Sequence, residues 1–261
     1  MNIHPGNGEE WVPLVDESGR VTGKVLRSQV HNGSFLLHPV VHLHVIGPGN
    51  TLLLQKRPLH KDIQPGKWDT AVGGHICFGE SPLEALAREA EEETGLKTFT
   101  PRLLRCYVWT SDVEREFVHI FVTREYLATD LNLHPEPGKC PSPDLRQSLE
   151  PEPNPVATKR GLSHNLLRRV IGKGTPHPTI DPVQPDDPDL DLPQRSGISK
   201  NQVQPSDPDC DPGPDVQVLA EVEALRFWKV EEIVNSLGAG VFTPNFEHDF
   251  QLLVEERYLS F

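Results

Sequence analysis

The sequence is short of positive charge. Its 25 lysines and arginines face 38 aspartates and glutamates, a net charge of −13, which removes any global attraction to nucleic acid or an anionic membrane surface. A small anionic ligand would need local cations. Cysteine is also scarce: Cys77, Cys106, Cys140 and Cys210 lie far apart with no CxxC pair, so neither a disulfide framework nor a zinc site is expected, and the thiols should be reduced. No apolar run approaches the ~18 to 20 residues that span a bilayer. The opening MNIHPGNGEEW lacks the basic start and apolar stretch of a secretory signal. The expected partner is a small molecule in the cytoplasm, without nucleic acid or membrane; the sequence leaves a homodimer open.

What the chain has in excess is proline, unevenly placed. Seventeen of its 26 prolines fall between Pro135 and Pro214, mixed with aspartate in stretches such as DPVQPDDPDLDLP. Such a composition sustains neither helix nor ladder and offers too little apolar surface to offset the entropy of ordering. Residues 134–215 therefore read as a disordered insertion, with a short basic helical pattern around Leu162 to Val170 as its one exception. The rest divides into residues 1–133 and 216–261, about 180 residues that suit one domain. A hairpin over Trp11 to Val15 and Val21 to Val25 and a second pair over Val40 to Ile46 and Thr51 to Gln55 should feed a mixed sheet. Strands over Leu103 to Thr110, Glu114 to Thr123 and Val216 to Trp228 join them, and helical patterns follow at Val230 to Leu237 and Phe246 to Tyr258.

The chemistry concentrates in GHICFGESPLEALAREAEEETGL, which begins at Gly74. Ser81, Pro82 and Glu84 form a capping-box helix start, and Gly95 supplies the left-handed residue that ends the helix. A loop feeding a capped helix is expected. Leu83, Leu86, Ala87, Ala90 and Thr94 make a buried stripe, while Glu89, Glu92 and Glu93 share an adjoining face. Like charges at this spacing repel one another. A hard divalent cation, Mg²⁺ or Mn²⁺, would relieve that repulsion, although a merely solvated acidic face is the plain alternative. Lys56, Arg57, Lys61 and Lys67 surround the turn before this run and are candidates to meet phosphates, or simply solubilising surface cations.

Gly74, Glu80, Arg88, Glu89, Glu92, Glu93, Gly95 and Leu96 stand at the spacing of the Nudix box, and the chain resembles the Nudix hydrolases. The resemblance implies an α/β fold, an α/β/α sandwich with a mixed sheet, here interrupted by the long Pro/Asp-rich insertion. It also implies a metal-dependent enzyme that cleaves nucleoside diphosphates linked to another moiety. By that likeness Gly74, Glu89, Glu92 and Glu93 belong to the metal site, and Arg88 orients a carboxylate such as Glu80. The general base varies within the family. Glu221, in LAEVEALRFW, resembles a position some members use, with Glu223 and Glu93 as competitors and a structural salt bridge as the alternative for Glu221.

Segments flanking the box resemble more narrowly the branch that contains the type I isopentenyl-diphosphate isomerases. His31, His38, His75, Glu114 and Glu116 match the His3Glu2 metal site of those enzymes, and His42 and His44 are weaker candidates on the same strand as His38. The isomerases also require a cysteine immediately before the Gly-His pair, where this chain has Gly73. Glycine cannot transfer a proton, and Cys77 lies four residues further on. Three readings follow: a Mg²⁺- or Mn²⁺-dependent hydrolase of an organic diphosphate, an isopentenyl-diphosphate isomerase, and a non-catalytic ligand-sensing module.

Overall fold

The computed structural model describes residues 10–133 and 221–259. The insertion expected over 134–215, its basic helical stretch, Cys140 and Cys210 lie outside the described residues. In chain order the elements are β1 (Trp11–Val15), β2 (Val21–Leu26), α1 (Arg27–Val30), β3 (Leu37–Gly47), β4 (Thr51–Lys56), β5 (Trp68–Asp69), β6 (Val72–His75), α2 (Pro82–Thr94), β7 (Arg102–Thr110), β8 (Arg115–Thr123), a 3₁₀ turn at Ala128–Asp130, β9 (Ala224–Lys229), α3 (Val230–Ser236) and α4 (Pro244–Glu255).

β3 is the spine. All eleven of its residues are buried, as befits a strand covered on both faces. It pairs in parallel with β8 from Leu37↔Arg115 to Val45↔Thr123 and antiparallel with β6 from Val40↔His75 to Leu43↔Val72. The resulting mixed sheet has seven strands in the order β5-β4-β3-β8-β7, with β6 on β3 and β9 on β4. Strand alternation assigns the two faces of β3 to different helices. Val41, Leu43 and Val45 pack with Leu86 and Ala90 of α2. Ile46 packs with Ile233 of α3 and with Phe246, Phe250 and Leu253 of α4, and Val40 with Leu252 of α4. This is the expected α/β/α sandwich with a mixed sheet.

Five local expectations change. The β1–β2 hairpin forms as read but makes its own two-stranded sheet, reaching the core through Val15 against Leu37 and Phe117. β4 meets β3 only at Ile46↔Leu52 and Gly47↔Thr51; its long partner is β9, from Thr51↔Lys229 to Lys56↔Ala224. Of the strand expected over Val216 to Trp228, residues 216–220 lie outside the described residues, and β9 begins at Ala224, so Glu221 and Glu223 precede it. Glu114 stands in the turn before β8 rather than in the strand. The last helix starts at Pro244, with Thr243 Oγ1 accepting from the Phe246 N–H, and ends at Glu255.

The box helix is capped as expected. Ser81 and Glu84 bond reciprocally, Pro82 occupies the first turn, and Gly95 has φ 78°. Gly95 is doubly constrained, because a Cβ there would also stand 2.6 Å from the Asp130 carbonyl oxygen. The stripe is Ala85, Leu86, Ala90 and Thr94; Ala87, placed in it by periodicity, is exposed. The opening of the box is strand rather than loop, since Gly74 and His75 belong to β6.

Candidate functional site

A cavity of about 580 Å³ opens where β6 and α2 meet the sheet, bordered by Glu89, Glu92 and Glu93 on one side and by His31, His75, Glu114 and Glu116 on the other. On the α2 side, Arg88 is the hub. Its Nε and Nη2 donate to the two oxygens of Glu80, each at 3.0 Å, the forked geometry that a planar guanidinium provides. Nη1 donates to Glu89 at 2.8 Å and Glu92 at 3.3 Å, and Nη2 also reaches the His75 carbonyl at 3.0 Å. One side chain thus ties the box turn, α2 and β6 together.

Glu89 and Glu93 occupy different ground. Glu89 lies against Gly74 so closely that a Cβ on that glycine would stand 2.1 Å from its carboxyl carbon. The glycine at this position is a steric requirement of the carboxylate. Burial raises the Glu89 pKa, opposed by the Arg88 charge. Glu93 lies beyond the reach of Arg88 and accepts from the Gly73 N–H at 2.9 Å and Gln55 Nε2 at 3.0 Å. Burial outweighs those bonds and pushes its pKa up to about 8. Glu92 is exposed.

On the opposite side, strand register assembles the histidines. Parallel pairing sets His38 beside Glu116, antiparallel pairing sets His75 beside Val40, and His31 follows α1. One ring nitrogen from each of His31, His38 and His75 falls within 4.8 Å of the others. The second nitrogens are tied back: His38 Nδ1 to the Leu36 carbonyl at 3.0 Å, and His31 Nδ1 to Glu114 at 2.5 Å. Such a bond fixes the His38 tautomer and leaves its Nε2 as a lone pair, while His31 Nε2 and His75 Nε2 share a hydrogen bond at 2.9 Å. His38 Nε2 is buried without a partner, which is costly unless something electropositive accepts it. Burial also keeps His38 and His75 neutral by lowering their pKa, the form that ligates metal. Glu116 accepts from Asn245 at 3.0 Å, and burial, reinforced by Glu114, raises its pKa to about 7. Such a donor set fits a divalent cation.

The remaining candidates fall at the rim or outside. Glu221 is exposed and bonded to Lys61 at 2.9 Å, and Glu223 is bonded to Lys56 at 2.9 Å. The pairing of Glu221 has the geometry of its salt-bridge alternative, although Glu221 still borders the cavity. Arg57 and Lys61 also border it; Arg57 pairs with Asp69 at 3.3 Å. Lys56 and Lys67 do not border the cavity. Cys77 bonds weakly to Glu10 and Arg88, and burial pushes its thiol up to about 11.

Sequence reasoning missed Gln55, Asn245 and above all Asp249. The last is wholly buried on α4 and accepts from His42 Nδ1 at 2.7 Å, His44 Nε2 at 3.1 Å and the Tyr107 hydroxyl at 2.7 Å. An aspartate in the apolar stripe Phe246, Asp249, Phe250, Leu253 was the available signal. His42 and His44 belong to this network and not to the His31–His38–His75 cluster.

The family model for the NUDIX domain matches residues 36–147. The chain is 35% identical over 119 residues to an isopentenyl-diphosphate Delta-isomerase of Kocuria rhizophila, covering 43% of this chain and 66% of that protein. It is 32% identical over 158 residues to the same-named protein of Cutibacterium acnes, covering 53% and 79%. An uncharacterized Nudix hydrolase of Yersinia pestis is 39% identical over 87 residues, covering 33% and 47%. The chain thus spans just under two thirds of the first of these and less than half of the last. Among the described residues, no helix is long and apolar enough to cross a membrane.

Proposed function

Because this chain belongs to the Nudix family, we propose that it is a divalent-metal-dependent hydrolase that cleaves an organic diphosphate by attack of water on phosphorus. The observation that carries this reading is the coexistence of a full set of box carboxylates, Glu89, Glu92 and Glu93, with a glycine at position 73, all on one cavity. Diphosphates repel an oxygen nucleophile, so charge neutralisation is the main requirement. Glu89 and Glu92 would hold Mg²⁺ or Mn²⁺ on the α2 side; His31, His38 and His75, with Glu114 and Glu116, would hold a second cation, Mn²⁺ being the better match to imidazole. When bound, such ions would offset phosphate charge as Lewis acids and would make water more acidic.

The chain's own residues do the rest. Glu93 is better placed as the base than Glu221: burial raises its pKa and Gly73 and Gln55 fix its position, whereas Glu221 is exposed and paired with Lys61. Glu93 takes a proton from the attacking water as the phosphorus–oxygen bond breaks and its electron pair passes to the bridging oxygen. Arg88 keeps Glu80 and Glu89 in place, and Arg57 and Lys61 at the mouth exchange their carboxylate partners for substrate phosphate. A Mg²⁺- and Mn²⁺-dependent phosphate-release screen over nucleoside diphosphate derivatives, dinucleoside polyphosphates and prenyl diphosphates tests the reading. Release from at least one class supports it, and release from none counts against it.

The second reading, isopentenyl-diphosphate isomerisation, is favoured by the histidine cluster and by the names of the relatives. Gly73 opposes it. Allylic proton transfer needs an acid on one side of the substrate and a base on the other, and Cys77, with a raised pKa and a bond from Arg88, sits elsewhere in the box.

A further inference from the structure

Position 73 is empty of side chain, and what lies next to it is a histidine. A Cβ on Gly73 would stand 3.8 Å from Cδ2 of His42 and 3.6 Å from the Thr70 methyl, so the backbone itself does not demand glycine here. Cδ2 is the ring atom bonded to Nε2. The missing side chain therefore leaves the Nε2 corner of His42 uncovered on the cavity wall, where His42 and Gly73 are both lining residues. The other end of the ring is occupied: Nδ1 bonds Asp249 Oδ2 at 2.7 Å, the one side-chain hydrogen bond shown for His42 among the described residues. Asp249 is itself fully enclosed and also accepts from His44 and Tyr107.

We propose that His42, held by Asp249 through Nδ1, is a substrate-contacting residue that donates its Nε2–H to an oxygen of the diphosphate, with Asp249 as its positioning residue. The inference rests on the diphosphate reading above and names a group in that same site. Charge supports it. Burial opposes a cation at His42, but the Asp249 charge and hydrogen bond outweigh it and raise the pKa to about 9, while the same pairing holds Asp249 well below the usual carboxylate range against its own burial. The ring then carries a proton on each nitrogen, one committed to Asp249 and one available. The guanidinium of Arg88 is committed to glutamates on each of its nitrogens, whereas the Nε2 of His42 is left for a ligand. Hydrogen bonds from a charged donor to an anion are among the stronger ones.

The probes are inorganic pyrophosphate and methylenediphosphonate, which cannot be hydrolysed, each with Mg²⁺. In the full-length wild-type protein, pyrophosphate should move the His42 ring ¹⁵Nε2 resonance and leave ¹⁵Nδ1, bonded to Asp249, nearly in place. Affinity for methylenediphosphonate should fall about tenfold in His42→Gln, by less in Asp249→Asn, and hardly at all in Tyr107→Phe, which loosens the network away from the cavity. A structural role alone would instead lower the melting temperature in all three variants with no selective loss of affinity. Unchanged His42 resonances under saturating pyrophosphate, or a folded His42→Gln with wild-type affinity, overturns the proposal. Should His42→Gln not fold, the wild-type resonances decide alone. Wild-type protein that neither binds nor hydrolyses any diphosphate overturns the hydrolase reading together with the proposal, whereas hydrolysis that is indifferent to His42 overturns the proposal only.

Discussion

Glu89 fills the space that a side chain on Gly74 would need, its carboxyl carbon 2.1 Å from where that Cβ would be. The neighbouring Gly73 has ordinary van der Waals room, with nothing nearer than 3.6 Å. The two glycines should therefore respond oppositely to alanine. Gly74→Ala must push Glu89 off its position, and a shift of about 1 Å in such a group costs on the order of a hundredfold. Gly73→Ala should fold normally and keep the larger part of its metal-dependent turnover. Circular dichroism and steady-state turnover of the two variants check this; equal losses would contradict it.

Arg88 should not be replaceable by lysine. A lysine keeps the charge but loses the fork that holds both oxygens of Glu80 and reaches Glu89 and Glu92 together. Glu80 also accepts the Cys77 N–H at 2.9 Å, so loosening it should speed hydrogen exchange at that amide. Arg88→Lys is expected to lower turnover by about ten- to a hundredfold and to expose the Cys77 amide. Wild-type protection at Cys77 would show that Arg88 does not hold the box turn.

In metal-free protein, Glu93 should make stability fall with rising pH. Its folded pKa lies at about 8 against an ordinary 4.5, so the folded state binds the proton more tightly than the unfolded state. The contribution is complete below about pH 4.5 and is lost as pH rises through about 8. Urea unfolding across this range should show a shallower decline in Glu93→Gln than in wild type. Saturating Mg²⁺ should reduce the wild-type decline, because the ionised carboxylate gains a partner. Identical slopes in both proteins would remove Glu93 as the source.

Much of this arrangement was legible in the chain. The helix from Pro82 to Thr94 announced itself through local signals, a capping box and a left-handed glycine, which depend on a few adjacent residues. The α/β/α sandwich followed from the resemblance, and the mixed sheet from strand and turn signals along the chain. What failed was pairing. Nothing local tells Trp11–Val15 to stay out of the main sheet, or β4 to take β9 rather than β3 as its long partner, because such choices are settled by packing between distant segments. Ala87 failed for a similar reason: periodicity gives the stripe, but Ala85 and not Ala87 meets the sheet.

The site divides the same way. Glu89, Glu92, Glu93 and Arg88 are close in sequence and stayed close in space. His31, His38 and His75 were collected by likeness alone, and the register of β3 with β6 and β8 is what brings them within reach. The Asp249 network was hidden because its members are separated by as many as 207 residues. Glu221 resembles a catalytic position, and its pairing with Lys61, far away in the chain, was not legible in the sequence.

The central claim is that this cavity directs water to phosphorus rather than a proton to carbon. The most direct measurement gives wild-type and Glu93→Gln proteins, in ¹⁸O-labelled water with Mg²⁺ or Mn²⁺, a panel of nucleoside diphosphate derivatives together with isopentenyl diphosphate. Products are read by ³¹P NMR and mass spectrometry. The account predicts ¹⁸O in one product phosphate of at least one substrate, a loss of about a hundredfold or more in Glu93→Gln, and no dimethylallyl diphosphate. Efficient formation of dimethylallyl diphosphate with no ¹⁸O in any phosphate would contradict it.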